Sequence, residues 1–135
     1  MRQIFFVLCA LMMTVGIANA QKKAVISAKE TTHNFGEILE KDGKITYTFE
    51  MVNKGDGPLV ITRVIASCGC TTPEWTKEPV APKGKAKVKI TYNPAGRPGP
   101  FAKSISVYSN GKEGSLRLMI KGDVVEKKTE IKKEK

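Results

Sequence analysis

Side chains that do chemistry are scarce in this chain, which has one histidine, one tryptophan and three cysteines in 135 residues. A Ser/His/Asp arrangement would have to be built on His33 alone, and no Gly-x-Ser-x-Gly elbow accompanies it. No Gly-rich phosphate cradle is present. The acidic residues are spread through turns and outward positions, without the carboxylate pair a glycosidase needs. The chain is therefore read as non-enzymatic. Aromatics make up 7% of it, too few for a base-stacking surface. The formal charge of +10 then points to solvation or to an anionic envelope component, not to nucleic acid. Two cysteines beyond the first twenty residues cannot supply a disulfide framework, so the fold must rest on an apolar core.

The first twenty residues form a secretory signal pattern. Arg2 supplies the positive start, Ile4 to Val15 is almost wholly apolar, and Ala18-Asn19-Ala20 gives the small-x-small cleavage site. The apolar run is shorter than the ~20 residues of a spanning helix, so no transmembrane segment is expected after cleavage. Cys9 follows Leu8 where a lipoprotein would carry a small residue, and it leaves with the leader. Cleavage removes one cation and lowers the charge from +10 to +9. The expected organisation is a signal peptide over 1–20, one domain over 21–125, and a charged tail over 126–135. The expected location is the periplasm or the medium, where thiols tend to pair.

What is abundant is alternation. In Ile45-Thr46-Tyr47-Thr48-Phe49-Glu50-Met51, apolar and polar residues take turns, the period-two mark of a half-buried strand. Lys85 to Tyr92 repeats it with Ala86, Val88, Ile90 and Tyr92 inward. Ile105 and Val107, then Leu116, Leu118 and Ile120, continue it. Leu59 to Ala66 is apolar on both parities and reads as a central strand covered on both sides. Asp42-Gly43 and Asn110-Gly111 are hairpin dipeptides, while 53–58 and 93–100 are longer breaks. These signals predict an all-β, immunoglobulin-like antiparallel β-sandwich of about seven strands.

Several strings stand together: His33-Asn34-Phe35-Gly36, Phe49-Glu50-Met51-Val52-Asn53-Lys54-Gly55, Pro58-Leu59-Val60-Ile61, Ser67-Cys68-Gly69-Cys70-Thr71, Tyr92-Asn93-Pro94 and Ile120-Lys121-Gly122-Asp123-Val124. The set resembles the bacterial domain of unknown function 1573 family. More distantly it is similar to immunoglobulin-like domains of the major sperm protein and cilium-associated type. The resemblance covers roughly Thr32 to Val125, and its most specific element is Cys-Gly-Cys-Thr after an apolar strand. It implies a secreted or periplasmic sandwich and supplies no activity. Asn34 departs from the Asp that such proteins commonly carry after the histidine, which removes a carboxylate that could orient His33.

Cys68 and Cys70 admit three readings. In extended chain, residues two apart sit about 6.6 Å from each other on one side. That is near the ~6.8 Å upper limit for a disulfide, and Gly69 lets the chain tighten. The pair can therefore be a small structural disulfide or thiol pair. As thiolates they form a soft site for Cu(I), with His33 as a third ligand if the first strand runs past the end of the Leu59 strand. Thirdly, they can exchange with other thiols, which needs an exposed, stabilised thiolate. No other cofactor is expected. Thr71, Thr72 and Trp75 follow the pair and form a candidate partner-binding loop, with Trp75 either capping the sandwich or exposed as an aromatic anchor. Lys83, Lys85, Lys87 and Lys89 project as a row, either a rail for an acidic glycan or lipid, or a solvated face or charged edge that blocks strand addition. The function expected is an exported interaction or structural module of the cell envelope, with a protein or envelope component as partner. The alternatives are a periplasmic copper-binding protein and a thiol–disulfide oxidant.

Overall fold

The computed structural model describes residues 22–126. The expected signal peptide and nearly all of the expected tail lie outside the described residues. Eight strands run in chain order: β1 (Ile26–Ala28), β2 (Thr32–Leu39), β3 (Ile45–Asn53), β4 (Ile61–Ala66), β5 (Thr71–Trp75), β6 (Lys85–Tyr92), β7 (Gly99–Ser109) and β8 (Ser115–Val125). They form two four-stranded sheets, β1-β3-β6-β5 and β2-β8-β7-β4. The only other regular element among the described residues is a 3₁₀ turn, Glu40–Asp42. No helix among them is long and apolar enough to cross a membrane.

The alternation places the core as expected. Phe49, Met51, Ala86, Val88, Ile90 and Tyr92 of one sheet meet Ile105, Val107, Leu118, Ile120 and Val124 of the other, all buried. Each such side chain removed from water contributes roughly 1.5–3 kcal/mol, which makes this interior the main source of stability. Tyr92 stacks on Phe101 at 4.1 Å between ring centroids, joining the sheets near one end.

The all-β sandwich is as expected, with eight strands among the described residues where about seven were expected. Three details differ. The sandwich is not wholly antiparallel, because β2 runs parallel to β8, with Thr32 opposite Met119 and Leu39 opposite Val125. Alternation reports which face is buried and carries no information on strand direction. Leu59 to Ala66 is not a central strand. Leu59 makes only an isolated bridge to Val80, and β4 begins at Ile61 on the edge of its sheet. Asp42-Gly43 does not close a hairpin, since β2 and β3 lie in different sheets and Gly43, at φ 76°, ends the 3₁₀ turn of a crossover.

A bulge interrupts the β2–β8 register between Asn34 and Glu37. Gly36 takes φ 68° there, and its N–H donates to Asn34 Oδ1 at 2.9 Å. Asn34 therefore shapes the bulge. Opposite it, a Cβ on Gly122 would meet Gly36 O and the Phe101 ring at 2.9 Å, so only glycine fits between them.

At the other end the buried Asn53 organises four chain segments. Its Nδ2 donates to Gly57 O at 2.7 Å and Val80 O at 3.0 Å, and its Oδ1 accepts from Val25 N at 3.3 Å and Gly55 N at 3.0 Å. Removing this carboxamide orphans buried backbone groups that water cannot reach. Asn53→Ala is expected to cost about 3 kcal/mol, read as a lower urea midpoint at unchanged slope. Thr48→Ala on the exposed face should stay within about 0.5 kcal/mol of wild type.

Candidate functional site

The chain crosses from β4 to β5, and so from one sheet to the other, through Ser67-Cys68-Gly69-Cys70. Both ends of this crossing are tied down. Ser67 N donates to Ser104 O at 2.9 Å, and Ser104 N donates to Ser67 Oγ at 3.2 Å, which fixes it to β7. Asn93 N donates to Cys70 O at 2.9 Å, which fixes it to the end of β6. Thr71 N donates to Cys68 O at 3.1 Å and closes the turn.

Within this frame the sulfurs of Cys68 and Cys70 are bonded to each other. The Cα atoms sit 5.2 Å apart, drawn in from extended spacing to within the usual disulfide range. The two sides of the bond differ. Cys70 is 6% exposed, while Cys68 is half-buried between the exposed Ser67 and Gly69. A Cβ built on Gly69 would meet nothing within 4 Å, so the space over the turn is open. Cys70 N donates to Cys68 Sγ at 3.1 Å, and the Thr71 hydroxyl lies 3.6 Å from Cys70 Sγ. The last registered pair of β4 and β7 is Ala66 opposite Ile105, and the Ser67–Ser104 hydrogen bonds carry that contact to the mouth of the turn.

The other expected site residues are not gathered around this pair. His33 lies on β2, at the edge of its sheet opposite β4. Three inter-strand steps of about 4.8 Å separate those two strands. His33 stacks on Tyr47 at 3.6 Å and meets Phe35 edge-on at 4.6 Å, closing the seam between the sheets on that side. Among the described residues, no group of three His, Cys, Asp or Glu side chains converges as metal ligands do. The structure thus brings Cys68 and Cys70 together and leaves His33 apart. Thr71 is buried at 4% exposure and offers no binding surface, whereas Thr72 is exposed. Trp75 is not in a loop. It ends β5 in register with the buried Val88, packs against the core, and carries the Lys77 ammonium over its ring at 3.2 Å. Pro73 fits in β5 because that strand is an edge.

The lysine row is also corrected. Lys83 precedes the strand in a turn, at φ 66°. Lys85, Lys87 and Lys89 lie on β6, which is interior to its sheet, so they cannot guard an edge. Glu50 sits 3.1 Å from Lys85 and Glu74 sits 3.8 Å from Lys89, leaving this face little net charge.

The opposite outer face is the one that the sequence reading missed. Arg63 and Ile65 on β4, Ser106 and Tyr108 on β7, and Arg117 on β8 face outward in register. The Arg63 guanidinium lies over the Tyr108 ring at 4.4 Å. Ile65 is 45% exposed, the large hydrophobic residue most open to water among the described residues. The signal for it was the apolar character of Leu59 to Ala66 on both parities. A strand covered on both sides and an edge strand with an apolar outer residue share that pattern.

Two tyrosines have phenols held above their ordinary value of 10.0. Tyr47 is raised first by donating its hydroxyl to Glu30 at 2.8 Å and then by burial, and Tyr92 is raised by burial, partly offset by Arg97.

Residues 26–124 match the family model described as protein of unknown function (DUF1573), and the chain belongs to that family. No curated protein matches it. Among solved structures it is similar to a protein of unknown function from Porphyromonas gingivalis W83, with TM-score 0.66 and 19% identity over 82% of this chain and 51% of that one. It is also similar to two Vibrio cholerae proteases. The secreted serine protease VesC has TM-score 0.55 and 13% identity, over 74% of this chain and 23% of that one. The VesB protease has TM-score 0.55 and 16% identity, over 76% and 31%. The chain spans about half of the first and less than a third of the proteases, and identities this low show the fold alone.

Two expectations follow. The Cys68–Cys70 bond closes a loop of only three residues, which in the chain-entropy view stabilises by on the order of 1.5 kcal/mol. A Cys68→Ser, Cys70→Ser double variant should therefore stay folded, losing no more than about 2 kcal/mol in urea unfolding. Phenols with raised pKa bind their protons more tightly in the native state than in the unfolded chain. Stability should then fall as pH climbs through and beyond 10, and fall less steeply in Tyr92→Phe, as followed by urea midpoints between pH 8 and 11.

Proposed function

We propose that this member of the DUF1573 family is an exported module of the cell envelope that binds a protein partner through the outer face of β4, β7 and β8. The observation that carries this reading is Ile65, open to water beside the Arg63–Tyr108 stack on an edge strand. Tyrosine and arginine around an apolar residue form the composition of an interface centre.

Charge gives the partner its character. Arg63, Arg117 and Lys121 stand on this face, while the outward positions of β4, β7 and β8 up to Lys121 hold no carboxylate. The partner surface is accordingly acidic with an apolar residue at its centre. On the opposite sheet, Glu50 and Glu74 offset the lysines and leave no comparable field. Export is supported by the leader-like first twenty residues and by a bonded cysteine pair, which persists in oxidising compartments.

The reading is tested in the bacterium that makes the protein, with a photo-crosslinking amino acid at Ile65 or at Thr48 on the other face. A discrete cross-linked species in the periplasmic fraction is expected from Ile65, to be lost with Arg63→Glu, and none from Thr48. Equal cross-linking from both sites, cross-linking from neither, or a cytoplasmic protein that keeps its first twenty residues would overturn it.

A further inference from the structure

We infer that Cys68 is the exchanging sulfur of a thiol–disulfide couple, with Cys70 as its resolving partner and a dithiol polypeptide as its substrate. The bond adds little to the fold. It spans three residues, and the crossing is already held by main-chain hydrogen bonds to Ser104 and Asn93. A linkage that the architecture does not need is free to open and close.

The surroundings favour opening from one side. Cys68 is reached through the open space over Gly69, while Cys70 is buried. A thiolate of the substrate attacks Cys68 Sγ, the Cys68–Cys70 bond breaks, and its electron pair leaves on Cys70 Sγ. The Thr71 hydroxyl, 3.6 Å away, is placed to donate to that thiolate, which then takes a proton from water. The substrate's second thiolate attacks its own sulfur in the mixed disulfide and expels Cys68 as thiolate. Cys70 N–H, 3.1 Å from Cys68 Sγ, stabilises that anion until it is protonated. The substrate gives up two electrons and leaves as a disulfide, and the protein gains them as two thiols. The same steps in reverse, with a disulfide-bearing polypeptide as oxidant, restore the bond.

The test uses single variants with glutathione disulfide as probe. In Cys70→Ser, Cys68 should form the mixed disulfide at least tenfold faster than Cys70 does in Cys68→Ser, as read by intact mass. Far-ultraviolet circular dichroism should match wild type in both. The wild-type protein, incubated with one equivalent of a reduced two-cysteine peptide, should oxidise it and gain two alkylatable thiols. Equal rates in the two variants would overturn the assignment of Cys68. Should the variants misfold, the wild type alone decides the matter: if excess dithiothreitol leaves the pair bonded in the folded protein, the proposal fails.

Discussion

Asn53 holds together stretches of chain that the two sheets alone would leave apart. Its side chain reaches Val25, Gly55, Gly57 and Val80, and its backbone accepts from Lys83 N at 2.7 Å and donates to Gly84 O at 3.0 Å. Every polar atom of a fully buried residue is matched, which is what makes such burial tolerable. The start of β1, the turn after β3, the bridge from Leu59 to Val80 and the entry to β6 all take their positions from it. The stack of inward side chains needs that closure, because the sheets cannot face each other in register while one end gapes.

The opposite end is closed differently. There the chain passes between sheets at the Cys68–Cys70 turn, beneath which Tyr92 stacks on Phe101. The seams along the two sides are filled by rings: His33, Phe35 and Tyr47 beside β2, and Trp75 under Lys77 beside β5. The division of labour is physical. Hydrogen-bonded carboxamide and aromatic packing carry the architecture, which leaves the turn with two sulfurs and the outer face around Ile65 free for other work. The two lie close in the chain, since β4 ends at Ala66 and the chain continues through Ser67 into Cys68. A partner seated on Ile65 would therefore sit three residues along the chain from the half-buried Cys68.

Most of the interior was legible in the amino-acid order. Period-two alternation identified Phe49, Met51, Val88, Ile90, Ile105, Val107, Leu118 and Ile120, and all are buried. What stayed hidden depends on partners distant in the chain. Strand direction is absent from a hydrophobic pattern, so the parallel β2–β8 pairing was invisible. The lysines of β6 looked like a charged rail until cross-strand register set Glu50 and Glu74 beside them. The copper alternative could include His33 because nothing in its neighbourhood says which edge of the sheet β2 occupies. Thr71 and Trp75 were assigned to a loop because the turn ends sooner than its prolines suggest, and β5 then turns both of them inward.

The parallel joining of β2 to β8 also governs when this molecule can become complete. The partner of β2 is β8, the last strand among the described residues, more than eighty residues later in the chain. During synthesis from the N-terminus, β2 must wait with its edge open until Ser115 to Val125 has emerged. Pairings across such long separations place sandwiches among the slower two-state folders, in milliseconds to seconds. Until β8 has been made, β2 has no neighbour in its sheet and its edge stays unpaired.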